Sequence, residues 1–152
     1  MTKVLYIGGS GEISAACVEH SLSLGHEVSV FNRGNQPIDG VRNIKGDVYK
    51  PNPYQTLADK SFDVVCQFLA FDTKTVKEDL DFFSSRCKQY IFISTASAYE
   101  KPCQYHVITE QTPLSNPFWE YSRKKIACEK LLVEQSSVPF TIVRPSHTYR
   151  HR

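Results

Sequence analysis

The chain has 152 residues, 41% of them hydrophobic and 22% charged, which suits one compact domain and excludes both two ordinary domains and a fully disordered chain. Eighteen Lys and Arg face sixteen Asp and Glu, a net charge of +2 spread without a basic run, so no nucleic-acid stripe is expected. No segment approaches the ~20 apolar residues of a membrane span, and the five separated cysteines offer no C-x-x-C pair, reading as free thiols of a reducing cytosol.

Residues 4–7 form a short apolar run that breaks at Gly8-Gly9-Ser10-Gly11. Ile13, Ala16, Cys17, His20, Leu22 and Leu24 then recur at roughly helical spacing up to Gly25, which predicts strand, glycine loop and helix in that order. A second strand over 28–31 ends in the polar turn Asn32-Arg33-Gly34-Asn35 and completes a β-α-β unit. A weaker strand over 41–44, a turn at Gly46-Asp47 and a short helix within 51–57 come next. The spacing predicts a buried strand over 62–69, a helix over 73–87 with Val76, Leu80 and Phe83 as its core stripe, and a strand over 90–93 that stops at Ser94-Thr95-Ala96-Ser97. Residues 100–117 hold three prolines and no period, and read as a long covering loop. A helix over 118–136 and a strand over 140–143 complete the pattern. Such alternation indicates a parallel sheet covered on both faces.

A helix N-terminus carries unpaired N–H groups and a partial positive charge, so a bare glycine loop ahead of it can seat a diphosphate. Gly8, Ser10, Gly11, Glu12 and Ile13 are the candidate contacts. Asn32 and Arg33 occupy the tip of the second strand. A carboxylate there would accept from a ribose 2′-hydroxyl, whereas an arginine attracts a 2′-phosphate; this tip predicts NADP, with NAD as second choice. Asp47, at the end of the third strand, fits an adenine contact and a plain turn aspartate equally well.

Tyr121 and Lys125 are four apart on the 118–136 helix and therefore share a face. An ammonium ~4 Å from the phenol at an effective dielectric near 20 supplies the ~4 kcal/mol of phenolate stabilisation that brings a tyrosine pKa from about 10 to around 7. A hydroxyl from Thr95 could then hold the substrate oxygen that exchanges its proton with Tyr121. Chance alone gives roughly 0.6 Y-x-x-x-K pairs in a chain of this composition, so the order of the motifs carries the assignment.

Taken together, these residues resemble the extended short-chain dehydrogenases/reductases, the family of the nucleotide-sugar epimerases and dehydratases. Ile7-Gly8-Gly9-Ser10-Gly11-Glu12-Ile13 is similar to its glycine motif, and Gly46-Asp47-Val48 to its third-strand end. Ile93-Ser94-Thr95-Ala96-Ser97-Ala98-Tyr99 resembles its hydroxyl strand, and Thr109-Glu110-Gln111-Thr112-Pro113-Leu114 its approach to the catalytic helix; Tyr121 to Lys125 with Glu129, then Val143-Arg144-Pro145, complete the run. The resemblance implies a Rossmann-like, doubly wound parallel sheet. It implies Tyr121 as general acid/base, Lys125 on the nicotinamide ribose and lowering the tyrosine pKa, and Thr95 orienting substrate. Cofactor contacts at Val48, Leu69, Ala70 and Pro145 follow from the same resemblance.

Ser14 stands where the family has a third glycine, and Glu12 where an apolar or aromatic residue is usual. Family members continue past Arg144-Pro145, and residues 150–152 match neither the family pattern nor a strand. The expectation is therefore a cytoplasmic NAD(P)-binding domain over 1–152, cut after about the sixth strand, with the C-terminal substrate-binding portion absent. Its function would be that of an NAD(P)-dependent epimerase, dehydratase or reductase acting on a sugar-like hydroxyl or carbonyl, with a small-molecule, nucleotide-sugar type of substrate and a homodimer formed through the exposed last strand. The alternative is a non-catalytic nucleotide- or RNA-binding member of the same family. Thr95, Tyr121 and Lys125 favour the enzyme, and the near-neutral charge argues against RNA.

Overall fold

The computed structural model describes residues 1–35 and 37–149; the expectation for residues 150–152 lies outside them. Six strands, β1 (Lys3–Ile7), β2 (Glu27–Asn32), β3 (Arg42–Lys45), β4 (Phe62–Gln67), β5 (Cys87–Ile93) and β6 (Phe140–Val143), form one sheet in the order β3-β2-β1-β4-β5-β6, parallel throughout. Three helices, α1 (Glu12–Ser23), α2 (Thr73–Phe83) and α3 (Glu120–Gln135), and two 3₁₀ turns, Gln55–Leu57 and Ala96–Ala98, connect them. The Rossmann-like doubly wound sheet expected from the sequence is the fold found. No helix among the described residues is long and apolar enough to cross a membrane.

The unbroken apolar run of β1 is explained by its burial on both faces. Leu5 and Ile7 join a core with Phe31, Val65 and Phe92 under Val76 and Phe83 of α2 and Cys128 and Leu132 of α3. Val4 and Tyr6 join a second core with Val28, Val30 and Cys66 under Val18 of α1.

The face that α1 turns inward differs from the expected stripe. Ser14, Val18 and Ser21 are the buried residues, whereas Ala16 and His20 are exposed and Leu24 is 58% exposed. Small residues win that face because helix and sheet approach closely there: a Cβ on Gly9 would fall 2.8 Å from Val30 and 3.3 Å from Val18. The Tyr6 hydroxyl reaches across to Ser21 Oγ at 2.6 Å and donates to the Cys17 carbonyl at 3.2 Å.

On α2 the expected stripe is in place, with Val76 and Phe83 buried and Leu80 half-buried, and Asp79 is buried beside them. The helix stops at Phe83, four residues earlier than expected, because Cys87 is needed to pair with Phe62 in the sheet. Asp72 caps its start, accepting from the Thr75 N–H at 2.9 Å. The loop between β5 and α3 closes on itself through Glu100 N–H to Pro113 O and Lys101 N–H to Ser115 O, both 2.8 Å. Residues 102–111 are exposed, so the loop covers less than the sequence suggested.

Candidate functional site

The chain reverses its winding between β1 and β4, and a crevice opens past the carboxyl ends of those strands. Registers Ile7↔Phe31 and Ile7↔Gln67 bring the ends of β2, β1 and β4 to one edge. Gly8 N–H donates to Phe31 O at 2.9 Å and Phe68 N–H to Ile7 O at 3.0 Å, holding both crossover loops there.

A cleft of about 760 Å³ fills this crevice. Gly8, Ser10, Gly11, Glu12 and Ile13 line it from the glycine loop and the first turn of α1, Asn32 and Arg33 from the end of β2, Asp47 and Val48 from the end of β3, and Leu69 from the end of β4. Gly8 sits at φ +90°, and a Cβ there would fall 2.6 Å from Leu69 Cγ, so only glycine lets the loop and the β4 end meet. Backbone without side chains at the foot of a helix is the chemistry a diphosphate needs. Ser14, in the third glycine position, is 99% buried without strain, its hydroxyl accepting from Gly11 N–H at 2.9 Å. Asn32 Oδ1 accepts from Gly34 N–H at 2.8 Å and Asp47 Oδ1 from Tyr49 N–H at 3.0 Å, so both side chains also close their own turns.

The sequence did not single out Tyr49 or Phe71 among the residues of this cleft. Tyr49 donates its hydroxyl to Leu69 O at 2.8 Å, linking the β3 and β4 ends across it. An apolar side chain directly after Leu69-Ala70 was the available signal for Phe71.

A second cleft, about 600 Å³, is lined by Thr95, Ser97, Lys101, Trp119, Tyr121 and Pro145, among others. Thr95 and Tyr121 are thus brought together, and Pro145 stands with them, its carbonyl accepting from Ala96 N–H at 2.9 Å. Thr95 Oγ1 lies 2.9 Å from Ser97 Oγ, which lies 2.8 Å from Ser122 Oγ, a chain of hydroxyls running under the catalytic candidates. Asn116 steadies it, donating to Ser97 O at 2.8 Å and accepting from Phe118 N–H at 3.1 Å ahead of α3. The Phe71 ring, on the wall of the first cleft, lies 6.1 Å from the Tyr121 ring on the wall of the second.

Lys125 lines neither cleft. It is 1% exposed, and its ammonium donates to Ala70 O at 2.8 Å and Ile93 O at 2.7 Å. Ala70, expected as a cofactor contact, is buried and does not line the first cleft. The ammonium lies 6.0 Å from the Tyr121 ring centroid, and burial lowers its pKa to about 8. The depressed tyrosine pKa expected from the pair is not observed. Burial pushes the Tyr121 phenol up instead, and the lysine ammonium is engaged by two carbonyls.

Glu129, one turn beyond Lys125, anchors α3 to the sheet. Buried to 2% exposure, it accepts from the Ser94 hydroxyl at the end of β5 and from Arg144 just past β6, whose Nη2 lies 2.7 Å from Oε2. Arg144 also donates to the Tyr99 hydroxyl at 3.1 Å. The carboxylate and that hydroxyl hold the guanidinium more firmly protonated than usual. This network ties three elements together behind the second cleft.

Residues 4–152 match the sequence model of the NAD dependent epimerase/dehydratase family. None of the curated proteins matches the chain. Among solved structures, the Bordetella bronchiseptica enzyme WbmG in complex with NAD and UDP superposes with a TM-score of 0.74 at 22% identity, over 94% of this chain and 52% of that one. A short-chain dehydrogenase/reductase superfamily protein from Agrobacterium tumefaciens with bound NAD gives 0.77 at 21%, over 93% and 48%. UDP-glucuronic acid 4-epimerase from Bacillus cereus, in complex with UDP-glucuronic acid and NAD, gives 0.74 at 18%, over 93% and 55%. At these identities the likeness is one of fold, and the chain spans about half the length of each.

Proposed function

Because this chain belongs to the NAD dependent epimerase/dehydratase family, we propose that it is the dinucleotide-binding and proton-transfer part of an NAD(P)-dependent epimerase, dehydratase or reductase acting on a sugar-like hydroxyl or carbonyl. The observation that carries the reading is the nearness of the two clefts: the glycine loop and Arg33 line one, Thr95 and Tyr121 the other, and the Phe71 ring of the first lies 6.1 Å from the Tyr121 ring of the second. A nicotinamide dinucleotide in the first cleft would supply hydride acceptance and return.

The glycine loop and the first turn of α1 would hold its diphosphate, and Leu69 the β4 side. Arg33 favours NADP over NAD, since it supplies a cation at the β2 tip and no carboxylate stands at Asn32 to oppose a 2′-phosphate. Tyr121, whose phenol is raised by burial, stays protonated at neutral pH and is set to donate to a substrate carbonyl oxygen. Thr95, steadied by Ser97, would hold that same oxygen. The UDP and UDP-glucuronic acid bound by two of the fold neighbours support a nucleotide sugar as the substrate class.

Calorimetric titration with NADP and NAD tests the reading. Binding of NADP, tighter than that of NAD, is expected; no heat from either at millimolar concentration would overturn it.

A further inference from the structure

The Lys125 ammonium sits in a cage. Two of its three N–H donors go to Ala70 O and Ile93 O, and three rings surround the remainder: Phe92 at 4.6 Å, Phe71 at 4.8 Å and Tyr121 at 6.0 Å from the nitrogen to the ring centroid. These walls differ in freedom. Phe92 is fully buried in the sheet core, and Tyr121 stands half-buried on the same helix as the lysine. Phe71 is 39% exposed and faces the first cleft. Its backbone is held on both sides, by Lys125 on Ala70 O and by the Asp72 cap of α2, so the motion open to it is rotation of the side chain.

We infer that Phe71 is a positioning residue for the acid/base pair: its ring is the movable wall of the cage, keeping Lys125 out of both clefts until a dinucleotide entering the first cleft displaces it. This rests on the nicotinamide reading above, together with the ribose contact that the family resemblance implies for Lys125. Of the three rings, Phe71 is the one that lines the first cleft, and the carbonyls of the preceding Leu69 and Ala70 are engaged by Tyr49 and Lys125. The titratable groups facing the ammonium among the described residues are Tyr121, Cys128 and Glu129 on its own helix; Asp72, on the segment that carries Phe71, acts on Cys128.

The test is lysine acylation of the full chain, read by peptide mass spectrometry between pH 6.5 and 10.5, together with NADP titration, for wild type, Phe71→Ala and Phe71→Leu. In wild type Lys125 should be the slowest lysine to react, with a midpoint near 8. In Phe71→Ala it should react at least ~10-fold faster, with its midpoint moved up toward that of exposed lysines, and NADP should bind at least ~3-fold tighter because no ring has to be displaced. Phe71→Leu, which keeps the cover, should behave like wild type in both measurements. Phe71→Val gives the same ordering with a smaller cut and serves if the alanine variant does not fold. Unchanged Lys125 reactivity in Phe71→Ala, or NADP binding that is weaker or equal, overturns the inference. If no variant binds NADP the dinucleotide reading fails by itself, and the gating role fails with it, while the acylation series still decides whether Phe71 closes the cage.

Discussion

Tyr90 donates its hydroxyl hydrogen to Asp79 across the junction of β5 and α2 at 2.5 Å, with both side chains buried. Tyr54 donates to the other carboxylate oxygen, and Gln67 Nε2 lies 2.6 Å from the oxygen that Tyr90 uses. The same Gln67 accepts the Leu69 N–H at 2.7 Å, so this buried polar knot also fixes the β4 end that lines the first cleft.

Burial raises Asp79 to about 6 from 3.8 despite its three donors. The folded chain therefore keeps a proton that the unfolded chain gives up, so the stabilisation is fully present below pH 3.8 and is lost as pH rises through about 6. The change amounts to roughly 3 kcal/mol. Denaturant unfolding of wild type and Asp79→Asn between pH 3.5 and 7 should show wild type losing stability relative to the variant across that window; parallel curves would contradict it.

Removing one partner of the Arg144–Glu129 pair should cost far more than removing both. Arg144→Met strands a buried carboxylate and is expected to destabilise the fold by about 3–5 kcal/mol. Glu129→Leu combined with Arg144→Met should recover most of that loss. Urea melts of the two single variants and the double variant give the coupling directly.

Arg33→Ala should weaken NADP binding by about 1.5–3 kcal/mol, the range for a charged hydrogen bond, and leave NAD almost unaffected. Calorimetry with both nucleotides measures the split. Equal losses for the two would remove Arg33 from the 2′-phosphate.

In a protein that joins this chain to a substrate-binding portion, Tyr121→Phe should leave NADP affinity nearly unchanged and lower turnover by at least ~100-fold, since only the proton transfer is lost. The measurement is hydride transfer followed by nicotinamide absorbance with a nucleotide-sugar substrate. Near-normal turnover would move the acid/base to another residue.

What was legible in the sequence is what local chemistry decides. The apolar run 4–7, the glycines after it and the alternation of strands with helices each follow from a period or a turn residue a few positions wide, and they predict the sheet and its crevice. The cleft residues from Gly8 to Leu69 follow because in a parallel sheet every strand ends at the same edge.

The cage around Lys125 was not legible, because the carbonyls that hold the ammonium come from Ala70 and Ile93, 55 and 32 residues away. Spacing on α3 shows that Tyr121 and Lys125 share a face, not that the ammonium is held by two backbone carbonyls. The inward face of α1 was also decided in three dimensions. Ser14, Val18 and Ser21 are buried while the more apolar Ile13 and Leu24 are not, and the loop ahead of the helix lies so near the sheet that a Cβ on Gly9 would fall 2.8 Å from Val30. Hydrophobic periodicity ranks residues by transfer from water, whereas close packing ranks them by volume; where the two disagree, the neighbour across the interface decides, and that neighbour is set by the fold.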